Sequence, residues 1–159
     1  MDELQQETID YTAICRLQAA YADSVTRRAW SELDELFVPS ATIAVDTVTN
    51  APIEIVGPQA LGAFISGAVE RFEFFELVIL NTRVTLRHDG DPDTARARQF
   101  TCELRQDESN GRWTNAFGVY HDEYTRDEGR WWFARRRYQS LARTGRAEIF
   151  PFPQHDGFD

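Results

Sequence analysis

Apolar residues near the start of the chain recur every three or four positions. Over residues 5–28, Ile14, Leu17, Tyr21 and Val25 keep this spacing, while polar residues fill the positions between them. Because an α-helix turns once every 3.6 residues, this pattern places the apolar side chains on one face. The sequence therefore predicts a long amphipathic helix at 5–28.

Two further helices are predicted before the strand-rich second half of the chain. The run Ser31-Glu32-Leu33-Asp34 resembles a capping box and opens a short helix, which Pro39 should end. Gly57 and Pro58 begin another helix, because the first helical position loses no hydrogen bond to proline. This helix should extend to about residue 72.

The remaining apolar runs are rich in aromatic and β-branched residues and predict strands. The segment 117–138 is the clearest, since two such runs flank the polar turn 125–129, where Gly129 can adopt a positive φ. Helices followed by long antiparallel strands are typical of an α+β fold. A strongly bent sheet around the helices forms a cone whose mouth binds small molecules. The predicted strands are 42–48, 53–56, 75–87, 94–106, 113–125 and 130–142.

The length of 159 residues fits one domain, predicted here at 1–142. The remaining segment, 143–159, is an aromatic tail that carries Phe150, Phe152 and Phe158. Its aromatic residues are suited to a lid or a subunit interface, and a frayed chain end is the alternative. Eleven Phe and four Trp exceed what a small core needs, which indicates an apolar cavity or a subunit interface. We therefore expect a hydrophobic small-molecule ligand and a homodimer or homotrimer.

Charge and composition exclude several other functions. The net charge of −9 repels phosphate backbones, which excludes nucleic acid as a partner. Cys15 and Cys102 lack metal-type spacing, and the three histidines are scattered, so we expect no metal and no cofactor. No apolar run approaches a membrane span and no signal-peptide pattern opens the chain, so we expect a cytoplasmic protein without a membrane partner.

Five segments share their order and spacing with a known family; they are 17–30, 36–42, 57–61, 81–84 and 118–137. Together they resemble the SnoaL-like branch of the nuclear transport factor two-like superfamily. The resemblance implies a cone-shaped, cystatin-like α+β barrel with helices packed in a curved, mostly antiparallel sheet. It also implies relatives such as scytalone dehydratase, ketosteroid isomerases, polyketide cyclases and the β subunits of ring-hydroxylating dioxygenases. Fold alone does not give function in such a superfamily.

The resemblance implies a catalytic role for Tyr21. In the dehydratase relatives a tyrosine at this point of the first helix polarises the substrate carbonyl, and an Asp and a His move the proton. Here the position of the Asp falls on Thr26 and that of the His falls near Leu77. Neither side chain is a base at neutral pH. Tyr21 has an alternative reading as an aromatic core residue, and Thr26 and Leu77 remain substrate-contact candidates.

The other candidate residues follow from the same resemblance. Asp46 lies within one residue of the base of the ketosteroid isomerases, and burial would raise its pKa into a useful range. However, a slip of one residue turns a strand side chain to the opposite face, so an exposed Asp46 is the alternative. Asn81 matches an asparagine that orients substrate or ties strand ends, and Gly118 and Tyr120 are expected to face the pocket.

Three hypotheses of function remain open, and whether the chain is an enzyme is one of the open questions. The first is a cofactor-independent isomerase, dehydratase or cyclase acting on a polycyclic or polyketide-like substrate, with Tyr21 as oxyanion donor and Asp46 as base. The second is a small-molecule-binding protein without turnover. The third is a structural or assembly subunit like the dioxygenase β subunits. Arg136 or Arg137 is a candidate anchor for a substrate carboxylate, and alternation along the strand does not decide between them.

Overall fold

One mixed sheet of six strands forms the body of the protein in a computed structural model that describes residues 2–155. The strand order is β2-β1-β6-β5-β4-β3, in which only β1 and β6 run parallel. The elements are α1 (Glu3–Thr26), a 3₁₀ turn (Trp30–Glu35), β1 (Phe37–Asp46), β2 (Ile53–Val56), α2 (Pro58–Val69), β3 (Phe72–Leu86), a second 3₁₀ turn (His88–Gly90), β4 (Thr94–Asp107), β5 (Trp113–Asp127) and β6 (Arg130–Arg143).

The sheet wraps around α1. This helix contacts β3, which is one edge of the sheet, and also β6, which lies three strands away. Tyr21 of α1 also packs against Phe37 of β1 and Phe133 of β6, so strands from both halves of the sheet lie around the helix. The predicted α+β class and the cone of helices inside a mostly antiparallel sheet are confirmed.

Helix α1 begins with a capping box that lies nearer the start of the chain than the predicted helix. Asp2 accepts a hydrogen bond from the backbone N–H of Gln5 at 2.8 Å, and the Gln5 side chain accepts one from the N–H of Asp2 at 3.0 Å. Two N–H groups that the helix leaves without a partner are thereby satisfied. The predicted capping box at Ser31 is wrong, since the 3₁₀ turn there has Ala29 as its cap and no side-chain cap bond.

The prediction that Pro39 ends a helix is also wrong. The 3₁₀ turn ends at Glu35 and β1 begins at Phe37, so Pro39 lies inside a strand. The pairing of β1 with β6 is irregular between Phe37 and Thr42. Proline has no N–H to donate to a neighbouring strand. Where the pairing is irregular, no ladder hydrogen bond from that position is required.

The predicted hairpin at 117–138 is confirmed and its turn is tighter than expected. Strand β5 continues to Asp127 and β6 begins at Arg130, which leaves only two residues between them. Glu128 has φ 49° and Gly129 has φ 78°. Positive φ at both central residues is the requirement of a type I′ turn, whose twist matches that of the flanking strands.

An aromatic cluster fills the space between α1 and the sheet. The rings of Phe37 and Phe133 stack at 4.7 Å, and Tyr21 meets them edge-on at 5.8 and 5.9 Å. All three side chains are buried. The cluster joins β1, β6 and α1, so the apolar stripe of the helix provides the contacts that its spacing predicts.

A fully buried ion pair crosses the same region. Asp122 and Arg136 are directly opposite each other on β5 and β6, and both are 0 % exposed. Two parallel bonds join them, from Nε to Oδ1 at 2.7 Å and from Nη2 to Oδ2 at 2.8 Å. The Tyr124 hydroxyl donates to Asp122 at 2.9 Å and accepts from the Gln18 amide of α1 at 2.9 Å. The pair is therefore also connected to the helix.

The described part of the tail packs on the outer face of the sheet. The ring of Phe152 lies 5.9 Å from those of Phe100 and His121, and His155 approaches His121 at 4.7 Å. His121 is next to the inward-facing Tyr120, so it belongs to the opposite face of β5. This part of the tail does not cover the inside of the cone, while Phe158 lies outside the described residues. The oligomeric state stays a prediction.

Within residues 2–155, neither helix combines the length and apolar character that crossing a membrane would require.

The buried ion pair gives a prediction about stability. Replacing Asp122 with Ala leaves the Arg136 guanidinium charged and buried, and we expect a loss of about 3–5 kcal/mol in the free energy of unfolding. The double variant Asp122→Leu with Arg136→Met removes both charges, so it should recover most of that loss. Urea unfolding monitored by circular dichroism measures both. A loss below about 1 kcal/mol for the single variant, as for an exposed pair, would contradict the prediction.

Candidate functional site

A cavity of about 190 Å³ opens between α1, α2 and the inner face of the sheet. Both helices and all strands except β2 contribute to its wall, so it is a product of the whole fold rather than of one motif. Most of the wall is apolar. The apolar residues are Val25, Ile43, Val45, Leu61, Phe64, Ile65, Ala68, Val69, Phe72, Phe75, Leu77 and Ala116.

Three polar side chains form the closed end of the cavity. Tyr21 from α1, Tyr120 from β5 and Arg136 from β6 line it and are 3 %, 8 % and 0 % exposed. The guanidinium carbon of Arg136 lies 4.2 Å from the ring centre of Tyr21 and 3.9 Å from that of Tyr120. The two tyrosine rings meet edge-on at 6.1 Å. Stacking between the rings therefore holds the cation in place.

The electrostatics of the closed end favour hydrogen-bond donors. Burial raises the pKa of Tyr21, although the nearby Arg136 guanidinium and the Tyr120 hydroxyl lower it in part. Burial also raises the pKa of Tyr120 well above that of an exposed tyrosine. Burial alone would lower the pKa of Arg136, but the Asp122 carboxylate outweighs it and the pKa is raised. Both hydroxyls and the guanidinium thus keep their protons at neutral pH.

The Arg136 guanidinium offers one further hydrogen-bond donor, Nη1, at this end. Nε and Nη2 bond to Asp122, and Nη2 also lies 3.4 Å from the Gln99 side-chain oxygen. Nη1 is buried and has no hydrogen-bond partner among residues 2–155. A buried donor without an acceptor costs free energy, so this nitrogen is suited to a ligand oxygen.

Four charged side chains form the open end. Glu103 and Arg105 lie on β4, Arg143 ends β6, and the exposed Arg71 follows α2; all four line the cavity. The Glu103 carboxylate lies 3.5 Å from Arg105, and the two side chains are 24 % and 15 % exposed. Glu103 is therefore a carboxylate that is largely removed from water inside an apolar space.

The surroundings of Glu103 weaken its acidity. Burial raises the pKa of its carboxyl group, and the positive charges of Arg105 and Arg143 offset only part of this effect. The neighbouring Tyr138, which also lines the cavity, has its pKa raised to about 12 by burial and by the charge of Glu103. A carboxylate with a raised pKa is a stronger base than an exposed one.

Gly118 shapes the wall beside Tyr138. A Cβ atom at this position would lie 2.2 Å from Cε2 of the Tyr138 ring, far inside van der Waals contact. The ring can lie against β5 only because residue 118 has no side chain. Gly118 thus acts on the cavity through Tyr138 and does not line it itself.

The structure brings some of the candidates predicted from sequence to the cavity. Tyr21, Tyr120 and Leu77 line it, and Gly118 supports its wall. Of the two arginines considered as anchors, Arg136 faces inward. Tyr21 combines two of the roles considered for it. Its ring packs in the aromatic cluster, as a core residue would, and its side chain also borders the cavity, as a hydrogen-bond donor would.

Three other candidates lie elsewhere. The Thr26 hydroxyl accepts a hydrogen bond from the backbone N–H of Leu77 at 3.1 Å, so it ties α1 to β3. Asn81 is exposed beside an irregularity in the β3–β4 pairing. Asp46 accepts a bond from the N–H of Val48 at 2.7 Å at the strand end. None of the three lines the cavity, so the structure gives Asp46 no place as a base there.

Sequence reasoning missed the charged end of the cavity. Glu103 lies in the predicted strand 94–106 and shares a face of β4 with the buried Ala95 and Ala97. Side chains in a strand alternate between two faces, so counting in steps of two from Ala95 reaches Glu103 and Arg105. This alternation is the sequence signal that could have placed Glu103 and Arg105 on the inner face of the sheet. Arg71 and Arg143 come from other elements, and no local pattern connects them to Glu103.

Within residues 2–155, no three His, Cys, Asp or Glu side chains are grouped so that they could hold a metal ion.

Solved structures share this architecture over nearly the whole chain. A protein from Novosphingobium aromaticivorans DSM 12444, named as a candidate scytalone dehydratase, superposes with a TM-score of 0.77 at 18 % identity, covering 96 % of this chain and 99 % of the other. The hexachlorocyclohexane dehydrochlorinase LinA-type3 from Novosphingobium barchaimii LL02 gives 0.76 at 19 % identity, covering 94 % and 99 %. At such identities the likeness concerns the fold.

No curated protein matches the sequence significantly. The family comparison is more specific, because the model of the SnoaL-like domain matches residues 6–137. That match spans α1, both sheet edges and most of β6, and it agrees with the resemblance of the five sequence segments. The chain belongs to the SnoaL-like domain family.

Proposed function

We propose that the chain is a cofactor-independent isomerase or lyase that moves a proton on a hydrophobic carbonyl compound held in the cavity. Glu103 is the proposed base, and the hydroxyls of Tyr21 and Tyr120 are the proposed donors to the carbonyl oxygen. One observation carries the proposal. A largely buried carboxylate with a raised pKa shares a mostly apolar cavity with two buried tyrosines.

The proposed chemistry follows from the charges involved. Removing a proton from the carbon next to a carbonyl transfers it to Glu103 and leaves the electron pair as an enolate. The new negative charge on oxygen then needs hydrogen-bond donors, which Tyr21 and Tyr120 supply at a site shielded from water. Where a carbon–carbon double bond beside that carbon extends the enolate to a dienolate, return of the proton to the far carbon of that double bond completes an isomerisation. Loss of a leaving group from the β carbon completes an elimination.

The size of the cavity suggests a substrate smaller than the predicted polycyclic one. Its volume of about 190 Å³ somewhat exceeds the roughly 150 Å³ of an engineered apolar cavity that binds benzene. One ring with a short substituent fits such a space. The neighbouring dehydrochlorinase is named for hexachlorocyclohexane, which also has one ring. We therefore propose single-ring carbonyl compounds as the substrate class.

A binding protein without turnover is the second candidate. It is favoured because Thr26 and Leu77 stand where the dehydratase relatives have their proton-transferring Asp and His. Thr26 ties α1 to β3, and Leu77 is an apolar wall residue. The open cavity supports both of these functions over a purely structural subunit, whose interior would be filled by its own side chains.

Exchange of hydrogen for deuterium tests the proposed base. The protein in D₂O should catalyse deuterium incorporation next to the carbonyl of cyclohexanone, 1-indanone or 4-phenyl-2-butanone, measured by mass spectrometry. Glu103→Gln should slow this exchange by about 10²–10⁴-fold, because an amide cannot accept the proton. Asp46→Asn makes the same chemical change outside the cavity and should leave the rate unaltered. Equal rates for Glu103→Gln and the wild type, or no catalysed exchange of any ketone in this panel, would refute the proposal.

Tyr21→Phe tests the proposed donor. The variant keeps the ring in the aromatic cluster and removes only the hydroxyl, so folding should be retained. We expect kcat for the exchange to fall by about 10²-fold, as for the loss of one oxyanion donor, with a smaller change in KM. A variant that loses only affinity would show that Tyr21 binds substrate without stabilising the enolate.

The pH profile tests the same assignment independently. A base works in its ionised form, so the exchange rate should rise with pH through the pKa of Glu103 and then become constant. The midpoint should lie above the ordinary value of 4.5, because burial outweighs Arg105 and Arg143. Tyr120 and Tyr138 have raised pKa values, so their deprotonation should not reduce the rate at pH 10. A midpoint below 4.5 would contradict the buried-base assignment.

A further inference from the structure

The open end of the cavity carries more positive than negative charge. The guanidinium groups of Arg71, Arg105 and Arg143 line it together with a single carboxylate, that of Glu103. The chain as a whole has the opposite balance, with a net charge of −9. The arginines are thus concentrated where the interior meets solvent, in a protein that otherwise repels anions.

The three arginines are held close together by packing. Arg71 and Arg105 both lie against the ring of Phe72, with guanidinium carbons 4.8 and 5.1 Å from its centre. Arg143 donates to the Ser140 hydroxyl at 3.1 Å. Desolvation lowers the pKa of Arg105, and the charges of Arg143 and Arg71 lower it further. The cluster is therefore close enough for its members to repel one another.

The cluster also has unused hydrogen-bonding capacity. Nε of Arg105 is buried and has no hydrogen-bond partner among residues 2–155. The Glu103 carboxylate lies at the long distance of 3.5 Å from Nη1. Like charges and an unpartnered donor in a largely dry space are both unfavourable, and one additional anion would relieve both.

We propose that the ligand of this cavity is an organic anion, a single-ring compound with a carboxylate that Arg71, Arg105 and Arg143 bind at the open end. The inference deepens the proposed function, since it assigns a substrate class to the same cavity. Guanidinium groups match carboxylates in shape and charge, which makes arginine the suitable residue for this contact.

An anchored carboxylate would also orient the ligand. With its charged group at the open end, the apolar body of the ligand extends between α2 and β3. Its far end then approaches Tyr21, Tyr120 and the free Nη1 of Arg136. A carbonyl at that end would meet the donors, and Glu103 would flank the segment between the two polar groups. The two ends of the cavity would thus select a ligand with two oxygen functions.

Isothermal titration calorimetry with a matched pair of probes tests the proposal on the intact protein. The pair is 3-phenylpropanoate and 3-phenylpropanamide, which have nearly the same shape and differ in charge. We expect the carboxylate to bind at least about tenfold more tightly at low salt, and the difference to shrink as salt is added. Benzoate with benzamide, and phenylacetate with phenylacetamide, extend the comparison to shorter ligands.

Single substitutions identify the anchor. Arg143→Gln and Arg71→Gln should each weaken binding of the carboxylate by about fivefold or more and leave the amide unchanged. Arg16→Gln makes the same change of charge on the exposed side of α1 and should have no effect. Glu103→Gln should tighten carboxylate binding, because it removes the one negative charge beside the three arginines.

Two sets of results would overturn the proposal. One is equal affinity for the acid and the amide in every pair, or no binding of any of the three carboxylates. The other is an effect of Arg143→Gln and Arg71→Gln no larger than that of Arg16→Gln. Neither depends on turnover, so the proposed function can fail while anion binding is found. Glu103→Gln separates the two directly, since it should slow the exchange and strengthen anion binding.

Discussion

The buried pair of Asp122 and Arg136 is the interaction on which the interior of this protein depends. Taking two charges out of water is expensive, and it is tolerated here because both bonds are short and the carboxylate also accepts from Tyr124. The pair joins β5 to β6, and Tyr124 extends it through Gln18 to α1. The same guanidinium lies against the rings of both cavity tyrosines, so one ion pair both joins β5 to β6 and positions the catalytic candidates.

The two ends of the cavity differ because their charges are balanced in different ways. At the closed end the positive charge of Arg136 is matched by Asp122, which leaves hydrogen-bond donors without a surplus of charge. At the open end three arginines surround Glu103 and the surplus is not matched. The first environment suits a neutral oxygen that becomes negative during a reaction, whereas the second suits an oxygen that is already negative. The apolar side chains of α2 and β3 line the space that connects the two ends.

The sequence predicted the elements of the fold better than it predicted the site. Apolar spacing located α1 and the hairpin, because these features depend on local pattern. The resemblance pointed to Tyr21 and Tyr120, which line the cavity, while their roles stay a prediction. Pro39 was misread, since only the irregular pairing of β1 with a strand about a hundred residues away makes a proline acceptable there. Asp46 is a candidate base only through its aligned position, and at the strand end its side chain bonds to its own turn, as the alternative of an exposed Asp46 allows. Glu103 becomes notable only when burial and the arginines of distant elements are considered together.

Gly118 shows how a residue outside the cavity can determine what enters it. The missing side chain leaves room for the Tyr138 ring against β5, and that ring is part of the wall. The interior dimensions are therefore determined one layer behind the surface that a ligand touches. Related chains could evolve a different ligand preference by changing this position while every contacting side chain stayed the same. A comparison of wall residues alone would then judge two proteins to have the same specificity when their cavities differ in size.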